Sequence, residues 1–221
     1  MMAIRREPFS VNEYYHIYSR GTDKREIFLD DNDRKRFLKL LFICNSDKPV
    51  SYRETANLPL TKIDRGKTLV SIGAYCLMPN HFHILVKETE ENGIVQFMRK
   101  LLTGYSSYFN KKYERTGILF SSRFKSSHTD TDRYLKYMFS YIHLNPLKLV
   151  NKNWREKRVK SASVKDYLAK YHYSSYKEYA ENISRAESLI IDKASFPKYF
   201  KNIADFEKET YGWLLTEDGP R

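Results

Sequence analysis

The first part of the chain has a pattern of apolar and polar residues that predicts a strand followed by a helix. Residues 14–20, YYHIYSR, are mostly aromatic or β-branched and are followed by a glycine, which is typical of a strand. Asp30, Asp31 and Asp33 then precede apolar positions that recur every three or four residues, and we expect a helix to begin at these acids. Residues 46–66 contain two prolines and many polar side chains, which predicts a loop.

Two apolar runs in the middle of the chain predict a pair of adjacent strands. Residues 68–78 and 81–88 are separated only by a Pro-Asn dipeptide, which favours a tight connection between antiparallel strands. Between 93 and 113 the apolar residues return to helical spacing and define one apolar face. The sequence therefore predicts a strand pair followed by a second long helix.

The next segment completes the order of elements. Residues 117–125, GILFSSRFK, predict a fourth strand, and Asp130 or Asp132 is expected to cap a helix that runs from 133 toward 145. The order β-α-β-β-α-β predicts an α+β fold of the ferredoxin-like (RRM-like) split βαβ type, with an antiparallel sheet. The additional helix follows the fourth strand.

Composition changes after residue 150, where the chain becomes polar and aromatic without a second core pattern. We therefore predict a domain at 9–150 and a helical C-terminal extension at 151–221. The chain has 221 residues, of which 41% are hydrophobic and 30% charged. These values are typical of a folded domain with appendages and not of a disordered chain.

The sequence gives no indication of export or membrane insertion. Cys44 and Cys76 lie far apart, so neither a disulfide framework nor a zinc knuckle is predicted. The first eight residues lack an apolar signal segment, and no run of about 18 apolar residues follows. We expect a cytoplasmic protein without a membrane partner.

Positive charge is concentrated in two segments of the chain, whose net charge is +12 at pH 7. Residues 99–125 contain seven Lys and Arg against one acid, and residues 133–160 contain eight against one. Aromatic residues lie between these basic residues. A polyanion with stackable bases would fit such a surface, although a solvated basic helix face has the same composition.

A pair of histidines in the strand 81–88 could bind a metal ion. His81 and His83 flank Phe82, and the strand period places both imidazoles on one face and Phe82 on the other. Two neutral imidazoles side by side can bind one divalent cation. Such a pair in a strand more often has a structural or incidental role, so the pair alone does not define a metal site.

The helix after the predicted fourth strand has two stripes of side chains, because successive residues turn by about 100°. The apolar stripe, which is expected to face the sheet, contains Leu135, Phe139, Ile142, Pro146 and Leu149. The neighbouring stripe contains Tyr134, Tyr137, Met138, Tyr141, Asn145 and Lys148. Tyr141 and Asn145 are one turn apart and could project toward a common site. Since Pro146 restricts the residue before it, Asn145 is expected to be either a helix end or a new N-cap.

Two motifs together resemble a known family. MPNHFHILV at 78–86 and YIHLNPLKLV at 141–150 resemble the paired signature of the one-tyrosine HUH transposases (IS200-like), in which HUH denotes His-hydrophobe-His. Further blocks that resemble this family are YHIYSRG at 15–21, LFSSRFK at 119–125 and YSSYKEY at 173–179. The last block is most similar to the REP-associated tyrosine transposases. The sequence departs from that group at Tyr173, where relatives often have tryptophan, and in its long 46–66 loop.

The resemblance implies a metal-dependent enzyme that nicks and rejoins DNA. In this family a tyrosine hydroxyl breaks one strand, which leaves a 5′-phosphotyrosine and a free 3′-hydroxyl. By position, His81 and His83 would hold Mg²⁺ or Mn²⁺, Tyr141 would be the nucleophile, and Asn145 would be the third ligand. The implied partner is single-stranded or hairpin DNA, and the implied location is the bacterial cytoplasm, in association with the nucleoid.

The candidate DNA contacts are basic residues of the two positive segments and of the YHIYSRG block at 15–21. They are Arg20, Arg99, Lys100, Lys111, Lys112, Arg123, Lys125 and Lys148. Members with a C-terminal tail tend to be monomeric, so by analogy we expect a monomer and not a homodimer.

Two other functions are compatible with parts of this pattern. A domesticated, non-catalytic protein of the same fold could bind single-stranded nucleic acid, but the complete set of His81, His83, Tyr141 and Asn145 argues against it. A two-histidine phosphoesterase without a metal would need a second His-x-Thr or His-x-Ser motif. The only weak candidate for that motif begins at His128.

Overall fold

A four-stranded antiparallel sheet forms the centre of the structure, a computed structural model that describes residues 8–49, 51–150, 161–181 and 183–214. The strands are β1 (Tyr14–Arg20), β2 (Val70–Met78), β3 (His81–Glu88) and β4 (Lys125–His128). Their order in the sheet is β2-β3-β1-β4, and every neighbouring pair is antiparallel. This arrangement confirms the predicted α+β fold with an antiparallel sheet.

The described helices surround this sheet. They are α1 (Asp31–Ile43), α2 (Tyr52–Thr55), α3 (Gly93–Lys112), α4 (Asp132–Leu144), α5 (Leu147–Val150), α6 (Ser161–Lys170), α7 (Tyr176–Ala180) and α8 (Ile203–Gly212). Short 3₁₀ turns lie at Thr22–Lys24, Leu60–Lys62, Ala186–Ile190 and Lys193–Ser195. Within the described ranges, every helix is too short or too polar to cross a membrane.

Helices cover both faces of the sheet, and the alternation of side chains along each strand explains how. On one face, Phe82 and Ile84 of β3 pack in a core cluster with side chains of α1 and α3. On the other face, Leu85 of β3 packs in a second cluster with side chains of α4. Every residue of β2 is buried, because both of its faces are covered. The α4-facing side of the sheet also carries His81 and His83.

A buried carboxylate fixes the start of α1 and ties it to α3. Helix α1 begins at the predicted acids, and Asp30 caps it with a side chain that accepts a hydrogen bond from the backbone N–H of Asp33. Asp33 is buried and accepts hydrogen bonds from the hydroxyls of Tyr108 and Tyr113 and from the ammonium of Lys112. These contacts hold the C-terminal end of α3 against the N-terminus of α1.

The described part of the C-terminal region packs on β2 and α4. The backbone N–H of Leu77 donates to the carbonyl of Tyr173 at 2.9 Å, and that of Ser175 donates to the carbonyl of Tyr75 at 3.0 Å. These bonds cover the open edge of β2, which would otherwise present unpaired backbone groups. Phe206 of α8 is fully buried and packs among aromatic side chains over α4. Residues 151–160, which belong to the predicted extension and to the second basic segment, lie outside the described residues.

Three local predictions from the sequence are wrong. The fourth strand spans Lys125–His128, whereas the predicted segment 117–125 is mainly a loop with one isolated bridge between Phe120 and Gly21. Its apolar residues reflect burial of Leu119 and Phe120 in the core, not pairing in the sheet. The cap of α4 is Thr131, not an aspartate, because the Thr131 hydroxyl accepts from the Tyr134 N–H. Leu149, predicted to face the sheet, is 45% exposed because it lies in α5, beyond the end of α4.

Candidate active site

A cavity of about 300 Å³ opens on the side of the sheet that faces α4. Strand β1, strand β3, the loop before β4 with the first residue of β4, helix α4 and helix α5 all contribute to its wall. The lining residues are Tyr18, Ser19, Arg20, His81, His83, Ser121, Ser122, Lys125, Tyr141 and Lys148. The cavity therefore brings together residues from five separate parts of the sequence.

His81 and His83 lie in this cavity because they alternate with Phe82 along β3. Their ring centroids are 4.9 Å apart. The Nδ1 atom of His81 lies 2.6 Å from the side-chain oxygen of Asn80, to which it donates when it carries the proton. The Nε2 atom of His83 is buried and has no hydrogen-bond partner among the described residues. The Nε2 atoms of both rings are thus available as ligands.

The surroundings keep both imidazoles uncharged at neutral pH. Burial, together with the positive charges of Arg20 and Lys148, lowers the pKa of His81 to about 4. Burial also holds the pKa of His83 well below its usual value of 6.5, with smaller effects of the neighbouring histidines and the same two cations. A neutral imidazole has a free lone pair, which is the form that binds a metal ion.

A third histidine belongs to the site, and the sequence analysis missed its role. The Nε2 atom of His16 lies 2.8 Å from Nδ1 of His83, so one of these nitrogens donates a hydrogen bond to the other. Burial, together with a smaller effect of the Lys148 charge, lowers the pKa of His16 to about 3. The contact depends on the register of β1 against β3, in which Tyr18 pairs with His83. The only sequence signal was the position of His16 in the first family-like block.

Tyr141 of α4 lies over the histidines. Its ring centroid is 5.5 Å from that of His83 and 5.7 Å from that of His16, and both contacts are edge-on. Tyr134 and Tyr137, which share its stripe on the helix, are not among the lining residues of the cavity. The ring of Tyr137 packs against Trp213 at 4.6 Å instead. Of these three tyrosines, Tyr141 is therefore the one that the fold places beside the histidine pair.

Asn145 adjoins the cavity without lining it. It is the C-terminal cap of α4, one of the two alternatives left by the sequence, and its side chain is buried. Its Nδ2 donates to the carbonyl of Tyr141 at 2.8 Å, and its Oδ1 accepts from the Lys148 ammonium at 2.7 Å. The side chain thus braces the helix end that carries Tyr141. The structure brings His81, His83 and Tyr141 together in the cavity, whereas the amide of Asn145 is hydrogen-bonded to Lys148 and does not line it.

The donor set fits a divalent metal ion with open coordination positions. Two neutral imidazoles face the cavity, and one of them has a buried nitrogen without a partner among the described residues. The described residues contain no group of three or more His, Cys, Asp and Glu side chains that could hold a metal on its own. A site built on this pair would take its remaining ligands from an amide, water or a substrate.

The predicted DNA contacts lie in three places. Arg20, Lys125 and Lys148 line the histidine cavity, and Arg123 lies in the adjoining loop. Arg99 and Lys100 line a different cavity, of about 520 Å³, between α1 and α3. Lys111 and Lys112 end α3, and Lys112 forms ion pairs with Asp30 and Asp33 at 2.7 and 2.8 Å. We name the first group the site surface and the Arg99 and Lys100 pair the helix surface.

The fold and this cavity define a class, an α+β protein with a ferredoxin-like sheet that carries two histidines and a tyrosine. Residues 60–145 of the chain match the family model described as IS200-like transposase, and this segment contains His81, His83, Tyr141 and Asn145. The resemblance predicted from the sequence is therefore confirmed.

One solved structure agrees with this assignment at the level of the fold. It is a REP-associated tyrosine transposase bound to a REP hairpin, with a TM-score of 0.50 and 14% sequence identity. The alignment covers 85% of this chain and 90% of that chain, which includes much of the C-terminal region. No curated protein sequence matches the chain.

Proposed function

We propose that this chain is a metal-dependent single-strand DNA endonuclease and strand transferase that uses Tyr141 as its nucleophile. The observation that carries the proposal is the cavity that Tyr141, His81 and His83 line together. Residues 60–145, which match the IS200-like transposase family, supply all three. A family match alone would not require these side chains to meet, and their meeting in one cavity is what a joint chemical role needs.

The proposed reaction conserves the energy of the phosphodiester bond that it breaks. The Tyr141 hydroxyl oxygen attacks a phosphorus atom, a new oxygen–phosphorus bond forms, and the bond from phosphorus to the 3′ oxygen breaks. The phenol loses one proton and the departing 3′ oxygen gains one, so the protons balance. The product is a 5′-phosphotyrosine with a free 3′-hydroxyl. A second 3′-hydroxyl can attack this linkage and rejoin the strand, which gives transfer and not hydrolysis.

His81 and His83 are the residues that would hold Mg²⁺ or Mn²⁺, with Asn145 as the proposed third ligand. When bound, the ion would polarise a non-bridging phosphate oxygen and align the reacting groups. Because Asn145 adjoins the cavity without lining it, its Oδ1 would have to exchange the Lys148 ammonium for the ion. The released ammonium of Lys148 would remain beside the phosphate, where it compensates negative charge.

Hairpin or single-stranded DNA is the proposed substrate. The site surface provides three cations around the cavity, Arg20, Lys125 and Lys148. Phosphate contacts from such residues position a strand without reading its sequence. The transposase that is similar in fold was solved with a REP hairpin bound, which supports hairpin DNA as the partner.

We further propose that a monomer is the active form and that it acts on DNA in the bacterial nucleoid. Helix α4 packs against β2 and β3 of its own chain, and α8 packs on α4 from the other side. The catalytic tyrosine and both histidines therefore come from one polypeptide. Residues 9–150 form the proposed catalytic domain, and the extension after 150 supports α4. Light scattering of the protein with and without hairpin DNA measures the oligomeric state directly.

The decisive experiment replaces Tyr141 by phenylalanine. The ring and its packing on His83 remain, but the one atom that can attack phosphorus is removed, so Tyr141→Phe should bind hairpin DNA normally and form no adduct. The readout is a denaturing gel of end-labelled hairpin DNA incubated with protein and Mn²⁺, in which the covalent adduct migrates as protein plus oligonucleotide.

Two matched controls lie on the same helix stripe. Tyr134→Phe and Tyr137→Phe remove the same atom from tyrosines that do not line the cavity, and both should still form the adduct. If the adduct survives in Tyr141→Phe and is lost in a control, the nucleophile is a different tyrosine. Binding without any adduct in the unmodified protein would favour the non-catalytic alternative.

A further inference from the structure

The contact between His16 and His83 restricts where the protons of these two rings can lie. Both residues are buried, and Nε2 of His16 lies 2.8 Å from Nδ1 of His83. Two N–H groups cannot point at each other over this distance, and two lone pairs would repel. The contact therefore holds one shared proton, carried by one of the two nitrogens.

The second nitrogen of His83 distinguishes the two arrangements. If His16 donates, His83 must carry its proton on Nε2, which makes that atom a buried N–H without an acceptor among the described residues. Orphaned buried N–H groups are rare in folded proteins, whereas acceptors without a partner are less so. If His83 donates from Nδ1 instead, Nε2 carries only a lone pair.

Neighbouring charges favour the same arrangement. Arg20 and Lys148 line the cavity together with His83. A lone pair on Nε2 is attracted by these cations, whereas an N–H group at this position would be repelled. Among the described residues, no carboxylate lines the cavity.

We propose that His16 is a positioning residue that accepts a hydrogen bond from Nδ1–H of His83 and thereby fixes the tautomer with a lone pair on Nε2. In metal sites a second residue commonly takes the other ring N–H of a ligating histidine in this way. The proposal rests on the proposed function, since the lone pair serves the divalent ion. Strand β1 would then contribute to the site, because its residue His16 accepts the hydrogen bond that orients the proposed ligand His83 on β3.

The tautomer can be measured in the metal-free protein. In ¹⁵N-labelled protein, two-bond correlations between the carbon-bound ring protons and the ring nitrogens distinguish a protonated nitrogen from one with a lone pair. We expect a protonated Nδ1 and an unprotonated Nε2 for His83 in the unmodified chain. A protonated Nε2 would overturn the proposal, and this measurement needs no variant to fold.

Two substitutions of His16 test its role as a hydrogen-bond acceptor separately from the shape of its side chain. His16→Phe keeps a ring that can stack on Tyr18 but removes the acceptor, and His16→Gln keeps an acceptor oxygen near the position of Nε2. We expect His16→Phe to weaken Mn²⁺ binding by about 10–100-fold and His16→Gln to restore most of the affinity. His128→Phe, on the neighbouring strand β4 and outside the cavity, is the control and should bind Mn²⁺ normally.

The outcomes separate this inference from the proposed function. Equal Mn²⁺ affinity in His16→Phe and the unmodified protein would overturn it, as would an equal loss in His16→Phe and His16→Gln, because the acceptor would then play no part. If the unmodified protein binds no Mn²⁺, the proposed metal site fails. The tautomer of His83 in that same protein still decides whether His16 orients the ring.

Discussion

Lys148 is the residue that connects the separate parts of the cavity. Its ammonium lies 5.1 Å from the centre of the Tyr141 ring and 2.7 Å from Oδ1 of Asn145. Its charge also contributes to the lowered pKa of His81, after burial and Arg20. A single side chain thus contacts the proposed nucleophile Tyr141 and the amide of Asn145, and its charge affects a proposed metal ligand.

Replacing Lys148 by methionine should slow cleavage more than it weakens binding. The methionine keeps the apolar stem, while the charge that would stabilise the phosphate in the transition state is lost. We expect about a 100-fold lower rate of adduct formation and only a few-fold weaker hairpin affinity. Lys125→Met, in the same cavity but on β4, is the matched comparison and should affect affinity as much as rate. Equal losses of rate and affinity in Lys148→Met would contradict this role.

Residues of the site could be predicted to lie together where they are close to each other in the sequence. His81 and His83 are two positions apart in one strand, so the strand period alone places them together. His16 is 67 positions from His83 and meets it only through the register between β1 and β3. A register between distant strands is set by packing of the whole sheet, which one sequence does not reveal.

Helices and the strand pair were also predicted from local patterns, whereas the fourth strand was not. The apolar residues of 117–125 have the composition of a strand, but Leu119 and Phe120 are buried in the core from a loop. The actual strand, Lys125–His128, has the polar sequence KSSH and lies at the sheet edge. Its pairing with β1 depends on backbone hydrogen bonds, so hydrophobicity gives no signal for it.

Helix α8 is the element that supports α4 from outside. Phe206 is fully buried, its ring stacks on Tyr179 at 5.3 Å, and it contacts the ring of His143 in α4 at 5.5 Å. The C-terminal region therefore helps to hold the helix on which Tyr141 lies. This packing gives the extension a structural role in the site.

Removal of the Phe206 ring should destabilise the protein strongly. Phe206→Ala leaves a cavity between α4 and α8, and we expect a loss of about 3–5 kcal/mol in the free energy of unfolding. Ile203→Ala, on the exposed side of the same helix, should change it by no more than about 0.5 kcal/mol. Urea unfolding followed by circular dichroism measures both. A loss in Phe206→Ala as small as that in Ile203→Ala would show that α8 does not support α4.

Among the described residues, two basic surfaces carry predicted DNA contacts beside a cavity, and salt dependence can show which one binds DNA. The site surface surrounds the histidine cavity, while the helix surface lies between α1 and α3. For single strands the logarithm of affinity falls with the logarithm of salt concentration by about 0.7 per phosphate contact. The slope therefore counts the phosphates that the protein neutralises.

We expect the site surface to dominate this slope. The double variant Arg20→Gln and Lys125→Gln should lower it by about 1.4, which corresponds to two phosphate contacts. Arg99→Gln with Lys100→Gln, the same change of charge on the helix surface, should lower it less. Fluorescence anisotropy of a labelled hairpin at several salt concentrations gives the slopes. A larger effect of the helix surface, or equal affinity for blunt duplex DNA, would contradict the proposed mode of binding.

Buried histidines make the stability of the whole molecule sensitive to acid. Burial lowers the pKa of His143 to about 3, with a smaller effect of Lys193, and it lowers the pKa of His16 to about 3 as well. In the unfolded chain a histidine has a pKa near 6.5. Between about pH 6.5 and 3 the unfolded chain therefore binds protons that the folded protein does not, and the free energy of unfolding falls as the pH falls.

The contribution of His143 can be isolated, because its ring lies outside the cavity and its Nε2 is 2.8 Å from the hydroxyl of Ser175. Each such histidine should add about 1.4 kcal/mol per pH unit to the slope of the free energy of unfolding. Asp33 has a lowered pKa, since the hydrogen bonds from Lys112, Tyr113 and the Leu29 N–H outweigh the opposing effect of burial, so its contribution is lost only at lower pH.

Urea unfolding at pH 5.5 and 4.5 therefore reports mainly on histidines. His143→Gln, which can still bond Ser175, should reduce the slope by about 1.4 kcal/mol per pH unit. The exposed His172→Gln controls for the loss of a histidine as such, and an unchanged slope in His143→Gln would mean that His143 is protonated in the folded protein.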